Sequence, residues 1–300
     1  MKKIIVSGLV NTETNVRVEQ FPIEYYPIDY TFFGVSTGVS GVAYNVTKAL
    51  TVLGDHVQLM TLLGNDFGAE YAVKRLDELK ISTKHVQKKL RETPNTVVLY
   101  DKNGKRQIYC DLKDIQDVGY DFGNIDYENC DAVIACNTNF NRTLLRQARM
   151  ADKIIATDVH VLTDTEDVYN ADFMRYSNLL FLSDENIQGY EIQFISDIAK
   201  RYENDIIVLG RGSKGAMMYV KEEKQFYEVP AVKNERVVNT VGAGDALFSA
   251  FVHFYIAGNT PIDALKKAEI FASVKIGFNG ASNGFAEEAE INAEFIKIQS

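Results

Sequence analysis

The chain has 300 residues, 46% of them hydrophobic and 24% charged, a balance that fits a globular protein with a substantial core and leaves no low-complexity tract. Its formal net charge is −9 with Lys and Arg scattered, which argues against a nucleic-acid surface, since that needs clustered basic residues. No apolar run reaches the length of a membrane span, and Cys110, Cys130 and Cys136 form no C-x-x-C pair, so neither a disulfide framework nor a zinc site is expected and the compartment reads as reducing cytoplasm.

In chain order, "KKIIVSGL" (2–9) predicts a strand. Two lysines before a short apolar run allow a signal peptide, but polar residues follow at once and no small-residue cleavage site appears. The aromatic-rich segment 15–36 shows period-2 patches and predicts strand. "GVAYNVTKALTVLG" (41–54) is helical, with Val42, Val46, Ala49, Leu50 and Leu53 on one face and Gly54 as the stop. Then come a strand over 56–64, an amphipathic helix over 66–80 and a basic stretch, "KHVQKKLRE" (84–92), expected to be solvated surface. "NTVVLYDKNGKRQIYC" (95–110) predicts a hairpin turning at Asn103-Gly104. Short apolar strands over 131–136, 153–158, 179–183 and 205–210 alternate with helical segments. This rhythm predicts parallel strands buried on both faces, an α/β layered fold. Segments 15–36 and 95–110 break it and are expected to form a small accessory sheet, a lid or a dimer contact, with Tyr25, Tyr26, Tyr30, Phe32 and Phe33 suited to either role.

Two glycine-rich turns carry candidate chemistry. "GRGSKG" (210–215) follows a strand and matches G-x-G-x-x-G, but "AMMYVKEEKQFYEVP" comes next and alternates like a hairpin. A dinucleotide site needs a helix there, so that expectation falls, leaving a nucleotide-phosphate loop or a plain turn. No G-x-x-x-x-G-K-[ST] pattern occurs. In "NTVGAGDALFSAF" (239–251), Gly242, Ala243 and Gly244 lead into an apolar helix. Amides at a helix N-terminus favour an anion. Asp245 can then cap that helix, or act as a general base on a hydroxyl while the 242–244 amides hold phosphoryl charge.

"NTVGAGDALFSAF" resembles the C-terminal signature of the ribokinase-like (PfkB) carbohydrate kinases, D-T-x-G-A-G-D. "SGVAYNVTKALTVLG" (40–54) resembles their G-G-x-x-x-N signature, "LLGNDFGAEY" (62–71) a further glycine–aspartate segment, and "VLGRGSKGAMMY" (208–219) their nucleotide-side strand and turn. The resemblance implies a three-layer α/β/α sandwich with a small β-sheet lid, in one kinase domain over 1–300 with lid segments near 12–37 and 94–112. It implies Asp245 as the base and Gly242, Ala243 and Gly244 as the anion hole. It places Gly212, Ser213 and Gly215 near ATP, and Asn11, Glu13, Ser40, Gly41 and Asn45 around the sugar.

The chain departs from the pattern at four places. Ser40 replaces a glycine, and Glu13 stands where many members have Asp. Near "LFLSDENI" (180–187) the N-x-x-E slots hold Ser183 and Asn186, leaving Glu185, one position early, as the candidate Mg²⁺ ligand. Asn239 replaces the Asp that helps form a monovalent-cation site in several members, which counts against such a site. The resulting expectation is an ATP- and Mg²⁺-dependent kinase acting on the hydroxymethyl group of a small sugar, with a homodimer through the lid. The alternatives are a nucleoside kinase of the same fold and a non-catalytic sugar sensor.

Overall fold

Alternation within the apolar strands sets the layering of the computed structural model, which describes residues 1–102, 104–123 and 125–299. Its strands are β1 (Lys3–Ser7), β2 (Asn11–Arg17), β3 (Val35–Ser40), β4 (His56–Leu63), β5 (Val86–Lys88), β6 (Asn95–Tyr100), β7 (Arg106–Asp111), β8 (Ala132–Ala135), β9 (Ile154–Val161), β10 (Leu179–Ser183), β11 (Ile206–Gly210), β12 (Ala216–Val220) and β13 (Gln225–Val229). Its helices are α1 (Val42–Val52), α2 (Phe67–Glu78), α3 (Asn141–Met150), α4 (Ala171–Tyr176), α5 (Glu191–Tyr202), α6 (Ala243–Ile256), α7 (Pro261–Lys275) and α8 (Glu288–Gln299).

Among the described residues nine strands make the large sheet, in the order β13-β12-β11-β10-β9-β8-β1-β4-β5. From β11 to β5 every pairing is parallel, and β12 and β13 add an antiparallel edge. Ile4, Val6, Phe181 and Val208 face the core shared with α1, α2, α6 and α7. Their neighbours Ile5, Leu180, Leu182 and Ile207 face the opposite core, shared with α3, α4 and α5. Each strand is therefore apolar on both sides, because the period-2 side-chain alternation feeds two helical layers. The result is a three-layer α/β/α sandwich.

The segment "AMMYVKEEKQFYEVP" forms the antiparallel β12–β13 pair, as its alternation predicts. The basic stretch at 84–92 lies at the sheet edge, with Lys88 and Lys89 exposed. Charged side chains there discourage another chain from pairing with β5. Among the described residues no helix is long and apolar enough to cross a membrane.

The second sheet has the order β3-β2-β6-β7. It is a lid of four strands, with β2 antiparallel to β3 and parallel to β6. The 95–110 hairpin is present as β6 and β7; Asn103 of its expected turn lies outside the described residues. The 15–36 expectation needs correction. Strand occupies Asn11–Arg17 and Val35–Ser40, and residues 18–34 connect them without strand. Pro22 and Pro27 interrupt this connection, and neither has an N–H to give to a ladder. Its aromatics do not enter a sheet face: Tyr25, Tyr26, Tyr30, Phe32 and Phe33 are all exposed.

Candidate active site

The carboxyl ends of parallel strands share one edge of the large sheet, where ligands of open α/β sheets bind. Helix α6 reaches that edge with its N-terminus. Phe248 and Phe251 lie edge-on to Phe181 of β10, at ring separations of 4.9 and 5.3 Å, and lock the helix against the sheet. Gly242 caps it with φ +79°, and a Cβ there would lie 2.3 Å from the Ala281 carbonyl oxygen. Only glycine fits both the left-handed backbone and the close approach.

Asp245 does not cap the helix, which has no side-chain cap bond. Its Oδ2 instead accepts a hydrogen bond of 2.7 Å from Asn45 Nδ2 on α1. Burial pushes the carboxyl above its ordinary range; the Asn45 bond and the positive charges of His160 and Lys275 oppose that rise. In the preceding turn the Ala243 amide is already used, donating to Thr240 O at 3.2 Å. The amides of Gly242, Gly244 and Asp245 find no acceptor among the described residues. They are the donors left for an incoming anion.

The lid strand β2 supplies the facing side. Asn11, Glu13 and Asn15 are buried, and Asn15 Nδ2 donates to Glu13 Oε1 at 3.0 Å. Asn11 donates to Thr96 Oγ1 and pairs in register with buried Ser40, while Gly41 caps α1 at φ +101°. The carbonyl oxygens of the Asn11, Asn15 and Asn45 side chains are buried without a partner among the described residues. Buried acceptors left unpaired are costly, so they mark where a ligand's hydroxyl donors fit. Thr12 and Thr14 point the other way, into a cleft of about 520 Å³ between the lid and α2. None of Asn11, Glu13, Asn45 and Asp245 lines that cleft.

On the opposite flank β11 ends at Gly210, close to Leu247 of α6. A single turn over Gly212–Lys214 follows, with Gly212 and Ser213 exposed. Gly215 has φ +90°, and a Cβ there would meet Val229 O at 2.0 Å.

A family signature described as pfkB family carbohydrate kinase matches residues 1–289. This chain belongs to the PfkB family of carbohydrate kinases. Among curated relatives, a ribokinase from Dictyostelium discoideum is 24% identical over 96% of this chain and 99% of its own. A nucleoside kinase from Methanocaldococcus jannaschii is 24% identical over 86% and 85%. Among solved structures, a microbiome-derived acarbose kinase superposes with a TM-score of 0.88 at 20% identity, covering 98% of this chain and 99% of that one. Members of the family transfer a phosphoryl group to an alcohol, and membership implies ATP as the donor.

In this PfkB chain Glu185 is exposed on the loop after β10, next to buried Asp184. Among the described residues no three His, Cys, Asp or Glu side chains stand close enough to share a metal. The donor set is no protein cage.

Three site residues escaped the sequence reading. Asp158, near the end of β9, is buried, and its Oδ2 lies 3.4 Å from Nδ1 of His160. The Asp158 charge lifts His160 to about 9, so the imidazole is cationic at neutral pH. Burial would raise Asp158, but His160's charge and hydrogen bonds outweigh it and hold the carboxyl below its ordinary range. The position of "TDVH" at the end of an apolar strand was the available signal. The third is Lys275, the last residue of α7, fully buried in the run "FASVKIGF".

Proposed function

We propose that this PfkB kinase transfers the γ-phosphoryl group of ATP to a hydroxymethyl group of a small sugar. The observation that carries the proposal is the Asn45–Asp245 pair at the mouth of α6, with the side-chain carbonyl of Asn45 left unpaired and that of Asn11, also unpaired, beside Gly41 at the start of the same helix α1. A polyol donates hydroxyl hydrogens to such acceptors, and one further hydroxyl meets the Asp245 carboxylate. Burial makes that carboxylate a stronger base than an exposed one.

Asp245 takes the proton as the hydroxyl oxygen approaches phosphorus, and the amides of Gly242 and Gly244 face the phosphoryl oxygens. Gly212, Ser213 and Gly215 hold the nucleotide's phosphate side. Mg²⁺, when bound, would neutralise phosphate charge, and Glu185, with its neighbour Asp184, would hold it. The four-stranded sheet acts as a lid that excludes water, the competing acceptor. In this reading residues 1–300 are one kinase domain, the exposed lid aromatics meet a second copy, and the three free cysteines suit a reducing cytoplasm.

A nucleoside acceptor is the second reading. It is favoured by the exposed rings of residues 25–33, which can stack on a base, and by the nucleoside kinase among the relatives. An ADP-release assay over a panel of pentoses, hexoses and nucleosides decides between them. The expected result is turnover with a sugar, lost in Asp245→Asn by roughly 10²–10⁴-fold. Turnover with nucleosides alone would reject the sugar acceptor, and full turnover by Asp245→Asn would reject the base.

A further inference from the structure

Lys275 is the most deeply buried cation of the chain's active-site region, with none of its surface exposed. Its ammonium has no carboxylate within ion-pair distance among the described residues. It donates instead to two backbone carbonyls, those of Val241 and, at 3.5 Å, Asn239. Both belong to the turn that presents Gly242, Gly244 and Asp245. The same turn is tied to the end of α7 a second time, because Val238 and Asn239 amides donate to Ile276 O at 2.8 and 3.2 Å. Burying an ammonium on neutral carbonyls is expensive in free energy, and nothing in core packing requires it. Burial pulls Lys275 down to about 8; the negative charges of Asp245 and Glu13 oppose that fall, and Arg106 adds to it.

The surroundings of this ammonium do not suit an added monovalent ion. Its two carbonyls already face a cation. The Asn239 side chain is committed as well: its Oδ1 accepts from the Val241 amide at 2.8 Å, and its Nδ2 donates to Asn279 Oδ1 at 3.0 Å. An aspartate at 239 would add a negative charge for a mobile ion to balance, whereas asparagine beside a tethered ammonium leaves the turn without one.

We propose that Lys275 is a built-in cation that positions the 239–245 turn for phosphoryl transfer, so that turnover needs no added monovalent cation. Lys275 acts through the turn and not on the substrate; it is a positioning residue. The proposal rests on phosphotransfer at Asp245 but not on which alcohol accepts the phosphoryl group.

The test compares potassium, sodium and tetramethylammonium chloride at one ionic strength. For the wild type, ADP release is expected to be equal in all three salts. Lys275→Met is expected to lose roughly 10²-fold in kcat, as a displaced turn would cause, with little change in the KM of the acceptor. Potassium or methylammonium should restore part of that loss, which a purely structural lysine would not allow. Thermal denaturation needs no substrate and stays informative if no acceptor is found: the wild-type Tm should ignore potassium, and that of Lys275→Gln should rise with it. If both variants fail to fold, the wild-type measurements still decide. A wild type that needs potassium for turnover or gains Tm from it would overturn the proposal. So would a Lys275→Met enzyme with wild-type kcat, or one whose loss no cation repairs.

Discussion

Asn45 Nδ2 donates a 2.7 Å hydrogen bond to Asp245 Oδ2, joining the first helix of the chain to the sixth across 200 residues of sequence. The bond aims the carboxylate away from its own helix. It also favours the ionised form of a group that burial pushes toward the neutral one.

Asn45→Leu removes that donor and leaves burial unopposed by it. The Asp245 carboxyl should rise further, so the acid limb of the kcat/KM profile moves to higher pH. Loss of aim should also lower kcat by roughly 10²-fold at the optimum. The check is a pH–rate profile beside the wild type. An unmoved acid limb would separate Asn45 from the ionisation of Asp245.

Gly242→Ala forces a Cβ to within 2.3 Å of Ala281 O in a residue at φ +79°. Strain of about 1–3 kcal/mol is expected, seen as a lower Tm. Because the turn holds the free amides, kcat per folded molecule should fall as well. Tm and active-site-normalised kcat together report the two effects.

Glu269 is buried on α7, and burial pushes its carboxyl up to about 8 against the opposing charge of Arg211. Between its ordinary 4.5 and about 8 the folded chain holds a proton that the unfolded chain has released. The stability this carboxyl contributes is therefore full below about 4.5 and falls as pH rises to 8. Glu269→Gln has no proton to lose. Its Tm relative to the wild type should climb through that window and level off above it, as the stability difference grows by an amount on the order of a few kcal/mol. Melting curves over the pH series measure the difference; a constant difference would count against a neutral Glu269.

Phe32 and Phe33 are 78% and 105% exposed, large apolar surfaces that a second copy can cover. Changing both to serine should leave Tm nearly unchanged, because neither packs on its own chain, while shifting sedimentation from dimer to monomer. Equal sedimentation of the two proteins would remove the lid from any role in assembly.

The layered fold was legible because its rules are local. Alternating apolar residues on both faces of strands such as "KKIIVSGL" demand two helical layers, and the glycines at 242 and 215 announce turns that only glycine can make. The strand limits of the lid were less legible. Period-2 patches continue through 15–36, but Pro22 and Pro27 withhold the donors a ladder needs. The sequence alone thus determined the sandwich, the lid hairpin at 95–110 and the presence of Asp245 at a helix mouth. Whether Asp245 caps its helix or faces outward was a matter of tertiary structure, since the deciding atom belongs to Asn45 on another helix. The same holds for Asp158, His160 and Lys275, whose charges matter only where they converge. Backbone preferences act over a few neighbouring residues, whereas desolvation and charge depend on what the folded layers bring into contact.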